Sequence, residues 1–315
     1  MPLSDIFSKR LILLSGKGGV GKTTVAVTLG LAAARLQKRT LLVEMNSTER
    51  IAPLFGLGPI GHHEIALSPY LTGINLDPQE CFQEYVLMQV RFKTIYNTFF
   101  HNRFVSSFLN AVPGLNELLM IGKIYDLERQ VKNRLTDEKL YDLIIVDGPA
   151  TGHGVSTFEV PKIVSEAVKV GPLKTQSENI LKLLTDPQKT IFSVVTLPEE
   201  MPAVESIELI QMIKDRLNIS LGPLFINAFQ SVDLDSIEQK TLQKKFPENN
   251  SPLYPYFAYT RLACERAELN EFYRKELAKK LEGIEQIVLP YLYEESNQTK
   301  NFKPLVDTLY GKTDS

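Results

Sequence analysis

The sequence predicts an α/β fold, a mostly parallel sheet with helices on both faces. Two observations carry that expectation. Short apolar runs recur along the 315 residues, and longer helical patterns separate them. A third, 43% hydrophobic and 23% charged residues, supplies enough apolar side chains for one large core.

The elements follow in order. "RLILLS" (10–15) ends in glycines and suits a buried parallel strand. Thr23 to Leu36 is rich in Ala and Leu and suits a helix. "RTLLVE" (39–44), "YDLIIVDG" (141–148), "TIFSVVT" (190–196), "GPLFINA" (222–228) and "EQIVLPY" (285–291) read as further strands. Helical patterns cover Val204–Leu217, Ser236–Lys245 and Thr260–Leu281. One interval breaks the alternation: from about 50 to 140 no convincing central strand is visible. Turn signals at "GLGPIG" (56–61) and "VPG" (112–114) divide it into two or three expected helices. With a second helical stretch at about 162–184, this predicts a helical subdomain, about 50–140 and 160–186, above the ligand edge of a single domain spanning 1–315.

Composition narrows the function classes. A net charge of −2 favours neither nucleic acid nor an anionic membrane surface. Two cysteines without a CxxC fit a reducing cytoplasm and support neither a disulfide framework nor a zinc site. The N-terminus has no signal-peptide pattern, and no uncharged apolar stretch is long enough to span a bilayer.

"GKGGVGKT" (16–23) fits the phosphate-loop pattern GxxxxGK[ST] between a strand and a helix. That context places the fold among the P-loop nucleotide triphosphatases. Gly16, Gly18, Gly19, Val20, Gly21, Lys22, Thr23 and Thr24 form the expected ATP cradle. The glycines turn backbone N–H groups inward, and the following helix presents its positive end to the same anion. Lys22 should reach the β- and γ-phosphates, and the Thr23 hydroxyl should ligate Mg²⁺. "LIIVDGPATGHG" (143–154) ends an apolar strand in Asp147, the second expected Mg²⁺ residue. Gly148, Gly152 and Gly154 suit a mobile sensor of the γ-phosphate. Lys17 begins the loop on its outer side. It is either a solvated lysine or one that reaches a nucleotide held by a facing subunit, as an arginine finger does.

The loop KGGVGKT (17–23) resembles that of a class of dimeric ATPases that includes partitioning and septum-placing ATPases and nitrogenase iron protein. Asp147 to His153, "DGPATGH", resembles the second switch of one branch, the arsenite-pump and tail-anchored-protein-targeting ATPases. "VPGLNEL" (112–118) is similar to that branch's proline-glycine-acid element, with Asn116 in place of its Asp and Glu117 kept. "VTLPEEMPAVES" (195–206) resembles its V-T-x-P-E segment. The resemblance spans about 10–310 and is closest to single-domain bacterial members.

It implies an ATP-hydrolysing homodimer in which Lys17 acts across the interface. It also implies that Asn227 contacts adenine and that the loop at Pro290, in "VLPYLYEE" (288–295), covers the base. The implied partner is an apolar client helix or a membrane protein. Asn46 stands where the branch has the Asp that positions the attacking water, so Glu44 or Glu49 substitutes or hydrolysis is slow. Cys81 and Cys264 match neither the metalloid nor the zinc pattern of the branch, so neither arsenite nor zinc is expected to bind.

His62 and His63 adjoin a glycine turn and read as surface loop residues, while His153 is either a phosphate relay or a structural residue. Residues 81–109 place Phe82, Tyr85, Phe92, Tyr96, Phe99, Phe100, Phe104 and Phe108 mostly at helical spacing. Core packing is the first reading of that face, and a client groove the second. Two rivals to the switch are a slow or non-hydrolysing nucleotide-dependent scaffold, suggested by Asn46, and a positioning ATPase. The tail 301–315 lacks the basic character that the positioning reading needs.

Overall fold

Leu11–Gly16 (β1), Thr40–Glu44 (β2) and Thr190–Thr196 (β8) are buried along their whole lengths, which is why each reads as an unbroken apolar run. The structure, a computed structural model, describes residues 3–45, 48–89, 113–133, 135–150, 154–232, 246–247, 250–293 and 299–310. Seven further strands complete the set: Ile65–Ser68 (β3), Leu71–Asn75 (β4), Val131–Asn133 (β5), Glu138–Lys139 (β6), Leu143–Ala150 (β7), Leu221–Phe229 (β9) and Gln286–Pro290 (β10). The main sheet has eight strands in the order β10-β9-β8-β1-β7-β2-β4-β3. Every pairing in it is parallel except β3 with β4. β5 and β6 form a separate hairpin.

The strand pair β3–β4 corrects the expectation that 50–140 lacks a central strand. Leu71–Asn75 pairs in parallel along the whole of β2, with Leu42 opposite Gly73 and Glu44 opposite Asn75. "LTGIN" carries only two apolar residues, because two of its five positions are only half-buried. A strand beside the sheet edge therefore lacks the continuous run that marks β1.

Ten α-helices are described. Leu3–Ile6 (α1), Lys22–Arg35 (α2), Ile51–Leu54 (α3), Pro78–Gln89 (α4) and Leu115–Arg129 (α5) come first. Gly154–Ala167 (α6), Pro172–Leu184 (α7), Glu200–Met212 (α8), Tyr254–Lys280 (α9) and Lys303–Leu309 (α10) follow. The stretch expected as one helix at 162–184 is two helices, broken at Gly171, whose φ is +112°. The expected helix Ser236–Lys245 lies outside the described residues.

Two apolar layers form, one on each face of the sheet. Val25 and Leu29 of α2 pack with Leu305 and Leu309 of α10 on one face. Leu118 and Ile121 of α5, Phe158 of α6, Ile180 of α7 and Ile210 of α8 pack on the other. Because the strands run parallel, Gly16, Glu44, Ala150, Thr196, Phe229 and Pro290 end them along one edge. β1 is central there, flanked by β7 and β8, so whatever follows it lies in the crevice where open α/β sheets hold ligands.

Candidate nucleotide site

The loop between β1 and α2 crosses the carboxyl edge with Gly19 and Gly21 in the left-handed region, at φ +87° and +88°. Gly21 has a second constraint. A Cβ there would come within 2.1 Å of Asn227 Nδ2. That amide, on β9, donates to the Val20 carbonyl at 3.0 Å, so the loop is tied to the sheet two strands away from β1. Asn227 is thus placed against the phosphate loop itself. Pro290 ends the neighbouring strand, in register with Phe229.

Lys22 opens α2 and folds back over the loop. Its ammonium donates to the carbonyls of Gly16 at 3.1 Å and Lys17 at 3.0 Å. Burial lowers its pKa, opposed by the charge of Asp147. Thr23, next on the helix, donates its hydroxyl to Asp147 Oδ2 at 2.6 Å. Asp147 ends the buried part of β7 and is almost fully buried. Its other oxygen, Oδ1, has no hydrogen-bond partner. Burial pushes this carboxyl above the usual range, while the Thr23 hydroxyl and the Lys22 charge hold it down. A carboxylate oxygen left bare beside a threonine hydroxyl is a hard-oxygen donor pair of the kind Mg²⁺ takes, so the residues fit the metal. Next to Asp147, a Cβ on Gly148 would meet the Leu14 carbonyl at 2.5 Å, so β7 and β1 stay close enough to bring Asp147 to Thr23.

Glu44 faces Asp147 across the β2–β7 pairing. Burial raises its pKa to about 7. Its carboxylate accepts the backbone N–H of Arg50 at 2.8 Å and of Ile51 at 3.3 Å. Glu49 accepts Ile60 N–H and Gly61 N–H, each at 2.7 Å, with one oxygen apiece. Both candidate substitutes for a water-positioning aspartate thus hold the turn after β2. Asn46 and His153 lie outside the described residues.

Lys17 has a contact that the sequence did not signal. Its ammonium pairs with Glu205 Oε1 on α8, while Glu205 Oε2 is buried without a partner. Glu205 lies inside "VTLPEEMPAVES" but was not singled out, since nothing in its spacing points to a loop 188 residues earlier. His62 also differs from its reading as a surface loop residue. Its side chain is 7% exposed; Nδ1 accepts Asp77 N–H at 3.2 Å, and Nε2 lies 3.4 Å from Glu84 Oε1. Glu84 lies on α4, so this contact sets the imidazole against that helix. His63 is exposed. Both cysteines are free, Cys81 buried and Cys264 half-buried.

A profile of the anion-transporting ATPase family matches residues 9–177, more than half of the chain and the part that carries the loop, Thr23 and Asp147. The chain belongs to that family. Among similar proteins, the ATPase BagA of Mycobacterium tuberculosis is 34% identical over 230 residues, 71% of this chain and 66% of the relative. The chain thus spans just under two thirds of that relative's length. The ATPase GET3 of Kluyveromyces lactis is 22% identical over 303 residues, 82% of this chain and 85% of the relative. An ATPase ASNA1 homolog of Dictyostelium discoideum is 21% identical over 323 residues, 89% of this chain and 92% of the relative. No helix among the described residues is long and apolar enough to cross a membrane.

Proposed function

We propose that the chain is an ATP-dependent switch that works as a homodimer and hydrolyses ATP to ADP and phosphate. The observation that carries this reading is the bare Asp147 Oδ1 beside the Thr23 hydroxyl at the foot of the phosphate loop. Similarity to proteins named ATPase supports it. Lys22 exchanges its two loop carbonyls for phosphate oxygens, a stronger charge-assisted bond. The N–H groups of Gly18 to Thr23 line the phosphates. Thr23 and Asp147 hold Mg²⁺, which when bound neutralises charge on the β- and γ-phosphates. Asn227 and Pro290 lie on the side where the base would rest.

Lys17 leaves Glu205 and meets the γ-phosphate of the facing protomer, where its charge stabilises the transition state. A helical region formed by α4 to α7 reports closure to a protein client or membrane partner. The chain acts as a single domain, with that region as its elaboration.

One observation favours slow turnover as a second reading. Glu49 has both oxygens committed to backbone amides and is not poised to take a proton from water. That leaves Glu44, its pKa raised to about 7 but its carboxylate held to the same turn by two amides, as the one candidate base of the pair. The test is Mg²⁺-dependent ATP hydrolysis measured beside ATP binding. Wild type should do both, Lys22→Ala neither, and Asp147→Asn should bind but lose the dependence on Mg²⁺. Binding without turnover in wild type would leave the scaffold reading in place. Failure to bind would remove both.

A further inference from the structure

The carboxyl edge carries a cation that neither the phosphate loop nor the facing protomer accounts for. Arg50 stands just before the short helix α3, and its side chain is exposed. Among the described residues its guanidinium has no hydrogen bond, ion pair or ring contact. Its backbone, by contrast, is fixed. Glu44 Oε1 accepts the Arg50 N–H at 2.8 Å, and Oε2 accepts that of Ile51 at 3.3 Å. The neighbouring Glu49 spends both oxygens on the amides of Ile60 and Gly61, each at 2.7 Å. Glu44 is 2% exposed, and a buried carboxylate is costly, so holding this turn has a price in stability. A backbone anchored by two carboxylates that presents a guanidinium without a partner suits a ligand that arrives later.

Position says which ligand. Glu44 ends β2 opposite Asp147 of β7, and Asp147 takes the Thr23 hydroxyl. Arg50 is therefore mounted beside the expected Mg²⁺ pair. Its charge is felt there: burial dominates the pKa values of Lys22 and Asp147, and Arg50 lowers both. Lys22 and Arg50 are like charges gathered about Asp147, an arrangement that an anion between them relieves. The strand order sets the end of the site. From β9, which carries Asn227, the edge runs through β8, β1 and β7 to β2. A nucleotide with its base toward Asn227 and its Mg²⁺ at Asp147 directs its last phosphate toward β2 and Arg50.

We infer that Arg50 is a further phosphate-binding residue, its guanidinium taking the γ-phosphate of ATP bound in the same chain. This rests on the nucleotide reading above and adds the group that tells ATP from ADP. Lys22 and the loop amides hold the β-phosphate of either nucleotide, whereas Arg50 meets only the third phosphate. The contact is made within one chain and needs no facing protomer.

Equilibrium binding of ADP and of ATPγS, a slowly hydrolysed ATP analogue, to the full chain tests it, with a melting curve on every variant. Arg50→Ala should lower ATPγS affinity about tenfold, the effect of one charge-assisted contact, and leave ADP affinity within about twofold. Arg50→Lys keeps the charge without the planar fork and should fall between wild type and Arg50→Ala. Lys22→Ala should weaken both nucleotides. A folded Arg50→Ala protein that keeps the wild-type ratio of ATPγS to ADP affinity would overturn the inference. So would equal loss of both nucleotides, the mark of a turn that has merely shifted. Wild type that binds neither nucleotide would overturn the nucleotide reading itself, and this inference with it.

Discussion

The carboxyl edge of the sheet and the helical face above it are built in opposite ways. At the edge almost every polar atom is committed. Lys22 holds two carbonyls, Asn227 holds Val20, Thr23 holds Asp147, and Glu44 and Glu49 each take two amides. The helical face is looser. Cys81 is the one buried residue among 78–88 of α4, and an open pocket lies where that helix meets α5 and α7. A site that must hold phosphates in one geometry needs the first kind of construction. A surface that changes with what it binds is served by the second.

That contrast sets the order of expected effects. Lys22→Ala should weaken ATP binding the most, by about 10²-fold or more, since a buried charge-assisted contact is lost; equilibrium binding of a fluorescent ATP analogue checks it. Gly21→Ala comes next. It forces a left-handed residue and a Cβ onto Asn227, and should cost about 2 kcal/mol of stability as well as affinity. Adding Asn227→Ala should return part of that loss in a urea titration, because the steric component disappears while the backbone strain stays. A double variant no more stable than Gly21→Ala would show that the loop does not lean on β9.

On the helical face the effects should be smaller. The His62 and Lys123 side chains hold the Glu84 carboxyl down at about 2, below its ordinary 4.5. A depressed carboxylate stabilises the fold above its unfolded pKa and loses that contribution as pH falls toward the folded one. Glu84 is partly exposed, so solvent screening limits the benefit to about 1 kcal/mol. Glu84→Gln should therefore be less stable than wild type at pH 7, with the gap closing between about pH 4.5 and 2. A gap that widened on acidification would contradict the assignment. Smallest is Glu205→Gln. The pair with Lys17 is half-exposed and worth less than about 1 kcal/mol. Its loss should leave the melting temperature nearly unchanged and raise turnover only a few-fold, by freeing Lys17.

The same contrast explains what could be seen from residues alone. β1, β2, β7 and β8 were legible because burial on both faces forces apolar runs, and the loop was legible because phosphate binding demands glycines at fixed steps. β4 was missed because Thr72, Gly73 and Asn75 interrupt its run. The pairs Lys17–Glu205 and Asn227–Val20 join residues far apart in sequence, and no local pattern encodes them. Phe82 and Tyr85 read as core packing from their spacing, and the fold packs both, half-buried, against the core beneath α4.

The central claim is that the two lysines divide the labour, Lys22 holding ATP in its own chain and Lys17 acting on the facing one. Mixing two inactive variants tests it most directly. Lys17→Ala binds ATP but lacks the lysine its partner needs; Lys22→Ala offers Lys17 but binds no ATP. In a mixed dimer, the nucleotide on the first chain faces the native Lys17 of the second, so one complete site forms. The account predicts ATP hydrolysis by the mixture that neither variant shows alone, rising with the fraction of mixed dimers. A mixture as silent as its components, with mixed dimers verified and ATP bound, would contradict it.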